Sequence, residues 1–235
     1  MMYQALAKYY DALVKDDEAT ASWVAMIKEH MPKGNIMELA CGSGEITIAL
    51  AKEGYQVAAS DLSEEMIKEA QKKPGSEWIR WSVMDMSVFE DTYMYEGILC
   101  LCDSFNYLLQ DAQVDHMFQA VYEHLNDEGV FIMDMHSLDR LKEFEEEYNE
   151  AGKIMDHEYQ WTIYAVEDRI YQNFAFYDED GRVTLEQHIQ RVYDPMDIKA
   201  CLERLGFQVE IYTDFTQPGI VDGEKQFFIC RKVKI

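Results

Sequence analysis

The stretch Glu38-Leu39-Ala40-Cys41-Gly42-Ser43-Gly44 sets two glycines two residues apart, between an apolar run and a helical pattern. Glycine carries no Cβ, so such a turn lets backbone N–H groups approach a ligand closely at the start of the following helix. Asp61 closes the next apolar run, 17 residues after Gly44. In a strand–turn–helix fold an acid there accepts hydrogen bonds from ribose hydroxyls. Turn and acid together predict a ligand that contains a ribose. The dinucleotide spacing G-x-G-x-x-G and the phosphate loop G-x-x-x-x-G-K-[ST] are both absent, so neither accounts for it.

An acid followed by G-x-G-x-G is the first motif of the class I S-adenosylmethionine-dependent methyltransferases. Glu38 to Gly44 resembles it, with Ala40 at the first glycine. The resemblance covers roughly residues 35–136 and implies S-adenosylmethionine as cofactor. It implies that Ala40, Gly42 and Gly44 line the aminoacyl and ribose portion, and that Asp61 holds the ribose diol. Leu62 and Met66 would pack near the adenine, Asp85 would accept from its amino group, and Met86 would lie beside it. The end of the fourth strand, with Cys102, would face the methionine end and the acceptor. The opening Leu6-Ala7-Lys8-Tyr9-Tyr10-Asp11 is similar to the start of small-molecule methyltransferases of this group, whose N-terminal helix folds over the cofactor. Each residue also has a structural reading: Asp61 and Asp85 as turn acids, Glu38 as a helix-dipole partner, and Leu62, Met66, Tyr9 and Tyr10 as core.

Methyl transfer from a sulfonium asks little of side chains. The leaving group is neutral, so holding a nucleophile in line and excluding water supplies most of the acceleration. Positive charge fades from the sulfur during transfer, so aromatic faces such as those of Tyr9 and Tyr10 suit it better than an anion. A base is needed only where the nucleophile arrives protonated. His136, just beyond the fifth strand, stands where such a base could act. Asn106 and Asp103 at the fourth strand's end could orient a polar acceptor, and Tyr10 could border the transferred methyl. His157-Glu158 lacks a zincin's second histidine and no G-x-S-x-G elbow occurs, so no metal site is expected.

These residues need a scaffold that brings strand ends together. Period and punctuation predict helices over Tyr3–Val14 and Glu18–Met31, then strands over Asn35–Ala40, Tyr55–Ser60, Trp78–Val83, Gly97–Cys102 and Val130–Met135. Helices alternate with these strands, at about 44–54, from Ser63 to Pro74, and over Asp111–Leu125. Such repeated units predict an α/β fold with a doubly wound, mostly parallel, seven-stranded sheet of Rossmann-like methyltransferase type. From 138 to 150 the chain reads as charged and helical, with Glu145-Glu146-Glu147 a solvated face. Tyr159–Val166, Arg169–Phe176 and Val183–Tyr193 then alternate as antiparallel strands, the last two joined by a turn at Asp178-Glu179-Asp180-Gly181. A helix from Asp194-Pro195 and strands Phe207–Tyr212 and Gln226–Val233 close the chain. The predicted organisation is a cofactor-binding domain over 1–137 and 194–235, with 138–193 inserted as an antiparallel β cap over the acceptor site. Three-stranded antiparallel caps of this kind are similar to those of small-molecule N-methyltransferases of the glycine/sarcosine type.

The chain of 235 residues is 48% hydrophobic and 13% aromatic, enough for a sizeable core. Its net charge of −24 repels phosphate backbones and anionic lipid, so nucleic acid and membrane are poor partners. The expected partner is a small-molecule methyl acceptor, and a homodimer is compatible with this reading. The five cysteines are odd in number, lack metal-ligand spacing, and fit a reducing cytoplasm. Cys100 and Cys102 are expected as core thiols on one strand face. No basic start with an apolar signal core and no membrane-length apolar run is seen, and a cytoplasmic location is expected. The rival functions are a cofactor-binding regulatory protein without transfer and, less well supported by the glycine spacing, a nicotinamide-dependent oxidoreductase.

Overall fold

Five parallel strands carry the sheet: β1 (Asn35–Leu39), β2 (Gln56–Asp61), β3 (Arg80–Val83), β4 (Tyr95–Cys100) and β5 (Leu125–His136), with β3 at its edge. The computed structural model describes residues 6–155, 157–178 and 180–233. The helices that precede or separate these strands are α1 (Tyr10–Val14), α2 (Asp17–His30), α3 (Glu45–Lys52), α4 (Glu64–Gln71) and α5 (Asp111–His124). After β5 follow α6 (Asp139–Glu143), β6 (Tyr148–Ile154), β7 (His157–Val166), β8 (Arg169–Tyr177) and β9 (Val183–Arg191). The chain ends with α7 (Pro195–Leu205), β10 (Phe207–Thr213), a two-residue β11 (Gln217–Pro218) and β12 (Lys225–Lys232).

The main sheet runs β11-β10-β12-β5-β4-β1-β2-β3. Neighbours from β3 to β5 are parallel, and β12, β10 and β11 pair antiparallel. The sheet is therefore doubly wound as expected, with eight strands rather than seven, the extra one being the short β11 edge. Side-chain alternation divides the core. Met37, Leu39, Ile98 and Phe131 pack with Met117 and Phe118 of α5 and Leu202 of α7, while Ile36, Val57, Leu99 and Ile132 pack with Ile27 of α2 and Leu50 of α3. This two-faced burial explains the nearly continuous apolar strands.

Helix starts follow their caps. Asp16 accepts from the N–H groups of Glu18 (2.8 Å) and Ala19 (2.9 Å), Ser63 from Met66 (3.2 Å), and Asp194 caps α7 with Pro195 in its first turn. The first predicted helix is broken at Tyr9, between a 3-10 turn (Leu6–Lys8) and α1; the part of that expectation on residues 1–5 lies outside the described residues. Trp78 belongs to a 3-10 turn rather than to β3.

The second sheet has four antiparallel strands, β6-β7-β8-β9. The charged segment read as helical through residue 150 is a helix only to Glu143, and from Tyr148 it is strand. Pairing with β7 over Tyr148 to Ile154 satisfies its backbone and outweighs the weak helical preference of its side chains. The β8–β9 turn closes with Gly181 N–H donating to the Asp178 carbonyl at 3.0 Å; Glu179 lies outside the described residues. Among the described residues no helix is long and apolar enough to cross a membrane.

β4 also ends two residues before its expected limit. Cys100 is buried, but Cys102 and Asp103 both adopt left-handed backbone, φ +57° and +58°. The two cysteines do not share a strand face: Cys100 stays in the core, and Cys102 turns into a cleft.

Candidate active site

The carboxyl ends of β1, β2 and β4 open onto one cleft of about 250 Å³. Glu38, Ala40, Gly42, Asp61, Leu62, Met66, Asp85, Met86 and Cys102 line it, together with Tyr10. Ten of the fourteen site residues read from the sequence are thus brought together.

The turn after β1 is built from consecutive special conformations. Ala40, Gly42 and Gly44 have φ of +53°, +55° and +77°. At Gly42 a Cβ would meet only Tyr10 Cε1 at 3.9 Å, so the missing side chain leaves room facing the cleft. Gly44 serves a different purpose from the one predicted and is not in the lining. A Cβ there would come within 2.6 Å of Trp81, so its glycine seats the start of α3 against β3 and α4. Ala40 holds left-handed backbone without being glycine, at a cost of roughly 1–2 kcal/mol. Ala40→Gly is expected to stabilise the fold by about 0.5–1 kcal/mol, because the relief exceeds the added unfolded-state entropy. A urea midpoint that does not rise would show that packing of the alanine methyl compensates.

Asp61 holds the turn as well as facing the cleft. Its Oδ2 accepts from Gly42 N–H and its Oδ1 from Ser63 N–H, each at 2.8 Å. Burial raises its pKa, opposed by these N–H groups. Asp85 accepts from Ser87 N–H (2.8 Å) and Ser87 Oγ (2.7 Å) through Oδ1, so it is a turn cap that also borders the cleft. Leu62, Met66, Met84 and Met86 make the apolar wall between these two acids.

Glu38 is 3% exposed and accepts from Thr47 Oγ1 of α3 at 2.6 Å. Burial pushes its carboxyl up to about 7, against the pull of that hydroxyl. The folded state therefore holds a proton that the unfolded chain releases near pH 4.5. The sign follows: this stability is complete below about pH 4.5 and is lost as pH rises toward 7, up to about 3 kcal/mol. Glu38→Gln is expected to flatten the fall in urea stability over that window; an unchanged slope would place its origin elsewhere.

The roof of the cleft comes from the N-terminal segment. Asp11 Oδ1 accepts from Ser43 Oγ at 2.5 Å, Lys73 bridges Asp11 (2.6 Å) and Glu45 (2.5 Å), and Lys15 reaches Glu45 at 3.3 Å. Tyr10 faces Asp61, Cys102, Asp103 and Tyr107, and burial with these neighbours raises its pKa. Tyr9 does not join it. It turns the other way and stacks on Phe176 of β8, centroids 4.9 Å apart, because consecutive residues around this helix start face different directions. Tyr9 is core between roof and cap.

His136 and Asn106 are also absent from the lining. Asn106 is fully buried, accepts from His136 N–H at 3.0 Å and donates to the Arg191 carbonyl at 2.7 Å. That role joins body to second sheet. His136 Nε2 meets Gln190 Oε1 at 3.1 Å, and Nδ1 lies 3.7 Å from Asp103 Oδ1. Burial lowers its pKa, with Asp103 opposing. Beside these residues stands a charge network in which Asp134 is fully buried and Lys225 is 27% exposed. Lys225 Nζ stands 2.7 Å from Asp103 Oδ1 and 3.3 Å from Asp134 Oδ2. Burial pushes Asp134 up to about 7 against the pull of Lys225; burial also raises Asp103, but His136 and Lys225 hold it well below the carboxylate range. Asp134, Lys225 and the cleft residue Gln113 are not singled out by the sequence, whereas Ser43 lies within the first motif and Tyr107 within the run Leu101 to Tyr107 expected to face the acceptor. Among the described residues no group of three or more His, Cys, Asp or Glu side chains is placed to hold a metal ion.

A strand-end cleft with a left-handed glycine turn, an acid at the end of β2 and an apolar wall fits a nucleoside-binding α/β enzyme. Residues 36–129 match the family model described as a methyltransferase domain. The chain is 32% identical over 247 residues to the "Putative methyltransferase YqeM" of Bacillus subtilis (strain 168), covering 100% of this chain and 98% of that protein. The crystal structure of a S-adenosylmethionine-dependent methyltransferase from Clostridium acetobutylicum ATCC 824 matches with a TM-score of 0.84 at 25% identity, covering 99% of each chain. S-adenosylmethionine-bound CalS10, an amino pentose methyltransferase from Micromonospora echinaspora, matches in fold with a TM-score of 0.76 at 16% identity, over 99% of this chain and 98% of that one. The protein belongs to the class I S-adenosylmethionine-dependent methyltransferases. Its cofactor is S-adenosylmethionine, and the cleft fits it: room at Gly42, a carboxylate at Asp61 and apolar walls beyond.

Proposed function

We propose that the enzyme methylates the amine of a small molecule held at the inner end of the cleft, among Tyr10, Cys102 and Tyr107. The observation that carries this reading is the continuity of one cleft from the Asp61 and Asp85 end to these three residues. Asp61 would hold the ribose diol, Ala40 and Gly42 would border the aminoacyl part, and Leu62, Met66 and Met86 would flank the adenine with Asp85 at its edge. The cofactor supplies an activated methyl on sulfur; the chain's own residues orient it, exclude water and offer aromatic faces to the cation. Tyr10, Asp11, Lys15 and Asp16 of the N-terminal segment line this cleft.

An amine suits the surroundings. Asp103 lies just behind Cys102, and the net charge of −24 does not repel a cation. That CalS10 is an amino pentose methyltransferase supports this direction. The test uses methyl-tritiated S-adenosylmethionine with amino sugars and amino acids, and with DNA, RNA and casein in parallel. Label is expected in the small amines; label only in a macromolecule would sink the reading.

A further inference from the structure

Tyr107 sits at the inner end of the cleft, and its hydroxyl leads into the second sheet. It lies 3.2 Å from Nδ1 of His188 on β9, and Nε2 of His188 lies 3.0 Å from Glu186 Oε1. His188 is 1% exposed, and Phe174 packs edge-on against its ring. The other oxygen of Glu186 accepts from Leu6 N–H at 3.0 Å, so the carboxylate is fixed from the roof side. We propose that Tyr107, His188 and Glu186 form a relay that takes the proton from the methyl acceptor. This rests on the reading that the acceptor is an amine, which reaches the cleft as an ammonium ion and must lose a proton before its lone pair can attack.

The direction of the relay follows from hydrogen-bond chemistry. The Glu186 carboxylate 3.0 Å from Nε2 favours a proton on that nitrogen through its charge, although the two are not aligned as a hydrogen bond. The lone pair then lies on Nδ1, where the Tyr107 hydroxyl donates. When an ammonium N–H meets the phenol oxygen, that N–H bond breaks, a new O–H bond forms, and the phenol's original proton passes to Nδ1. The imidazolium so formed lies against Glu186, which compensates its charge where water is excluded. The freed amine lone pair bonds to the methyl carbon as the C–S bond breaks, and that bonding pair stays on sulfur. The proton returns by the same path after the product leaves.

His136 is placed less well for this task. Its Nε2 is engaged by Gln190, its Nδ1 faces Asp103, and it is not in the cleft lining. Tyr107 is the catalytic member of the relay, while His188 and Glu186 act through it as positioning residues.

The test combines a turnover-independent signal with kinetics. In protein labelled with ¹⁵N-histidine, His188 is expected as the Nε2–H tautomer, with an Nδ1 resonance that shifts in Tyr107→Phe. A His188 carrying its proton on Nδ1 overturns the relay. Tyr107→Phe and His188→Gln are expected to lower kcat on an amino-sugar or amino-acid acceptor about 10²-fold. Glu186→Gln should lower it less. S-adenosylhomocysteine should bind His188→Gln and Glu186→Gln within about twofold of the parent, because the relay acts on turnover and not on cofactor binding. Tyr107→Phe turning over at the parent rate also overturns the proposal. If the parent methylates no amine but still binds S-adenosylhomocysteine, the acceptor reading fails, and the tautomer alone decides whether the relay is built as described.

Discussion

Asp61→Ala is expected to lower the affinity for S-adenosylhomocysteine about 10²-fold and to remove the thermal stabilisation expected of the parent with micromolar S-adenosylmethionine. On the proposed reading, two charge-assisted hydrogen bonds to a ribose diol would contribute about 1.5–3 kcal/mol each, and every 1.4 kcal/mol is about tenfold in affinity. Two such bonds would exceed 10²-fold, but the isolated diol regains water when released, which trims the net effect. Asp61 also fixes Gly42 and Ser63, so the variant loosens the turn that borders the same ligand. Asp61→Asn is an intermediate case, since its one oxygen keeps only one of the two backbone bonds and its amide nitrogen cannot accept the other. Calorimetric titration and melting curves read both. A parent whose melting curve ignores the donor, or an Asp61→Ala protein that binds normally, would contradict this account of the site.

The second large effect concerns stability. Lys225→Met is expected to cost about 3 kcal/mol at pH 8, because removing one partner of a buried pair leaves charge uncompensated. For a chain of this size that is a fall in Tm of about 6–12 °C. Asp134 is fully buried and Asp103 donates its backbone N–H to it at 3.1 Å, so two carboxylates would face each other without their cation. The cost should shrink with acid. Asp134 already titrates at about 7 beside Lys225, and below that it sheds its charge. Adding Asp134→Asn to the variant should recover part of the loss, measured as a double-mutant cycle in urea. A loss below about 1 kcal/mol at pH 8 would show that water compensates the pair.

The legible parts of the site are those in which a few adjacent residues carry both the conformation and the chemistry. Glu38 to Gly44 and Asp61 are of this kind, because glycines at fixed spacing and an acid at a strand end have few other uses. The parallel sheet is legible for a similar reason: buried strands alternate with amphipathic helices over short distances. The turn that ends β4 early escapes because the left-handed backbone of Cys102 and Asp103 is not announced by glycine. Such strain is held by surrounding structure and gathers at functional sites. The start of β6 reads as helix because pairing with a later strand, rather than local preference, decides its form. The Lys225 network and the Tyr107–His188–Glu186 relay are joined across dozens of residues, so no local pattern reveals them. Tyr9 and Tyr10 are neighbours of one type with opposite fates, which only the packed roof distinguishes.

The second sheet and the N-terminal roof differ in how they are fastened to the body. The second sheet is stitched to the body by buried contacts through Asn106, Gln190 and the Tyr193 hydroxyl on the Leu108 carbonyl. The N-terminal roof is held to the cofactor side by Asp11, Lys15, Lys73 and Glu45, whose side chains are 18–43% exposed. Water and salt can replace the second kind of fastening far more cheaply than the first. The roof segment is therefore expected to part first from the cofactor side, while Tyr9 on Phe176 and Leu6 N–H on Glu186 keep it joined to the second sheet.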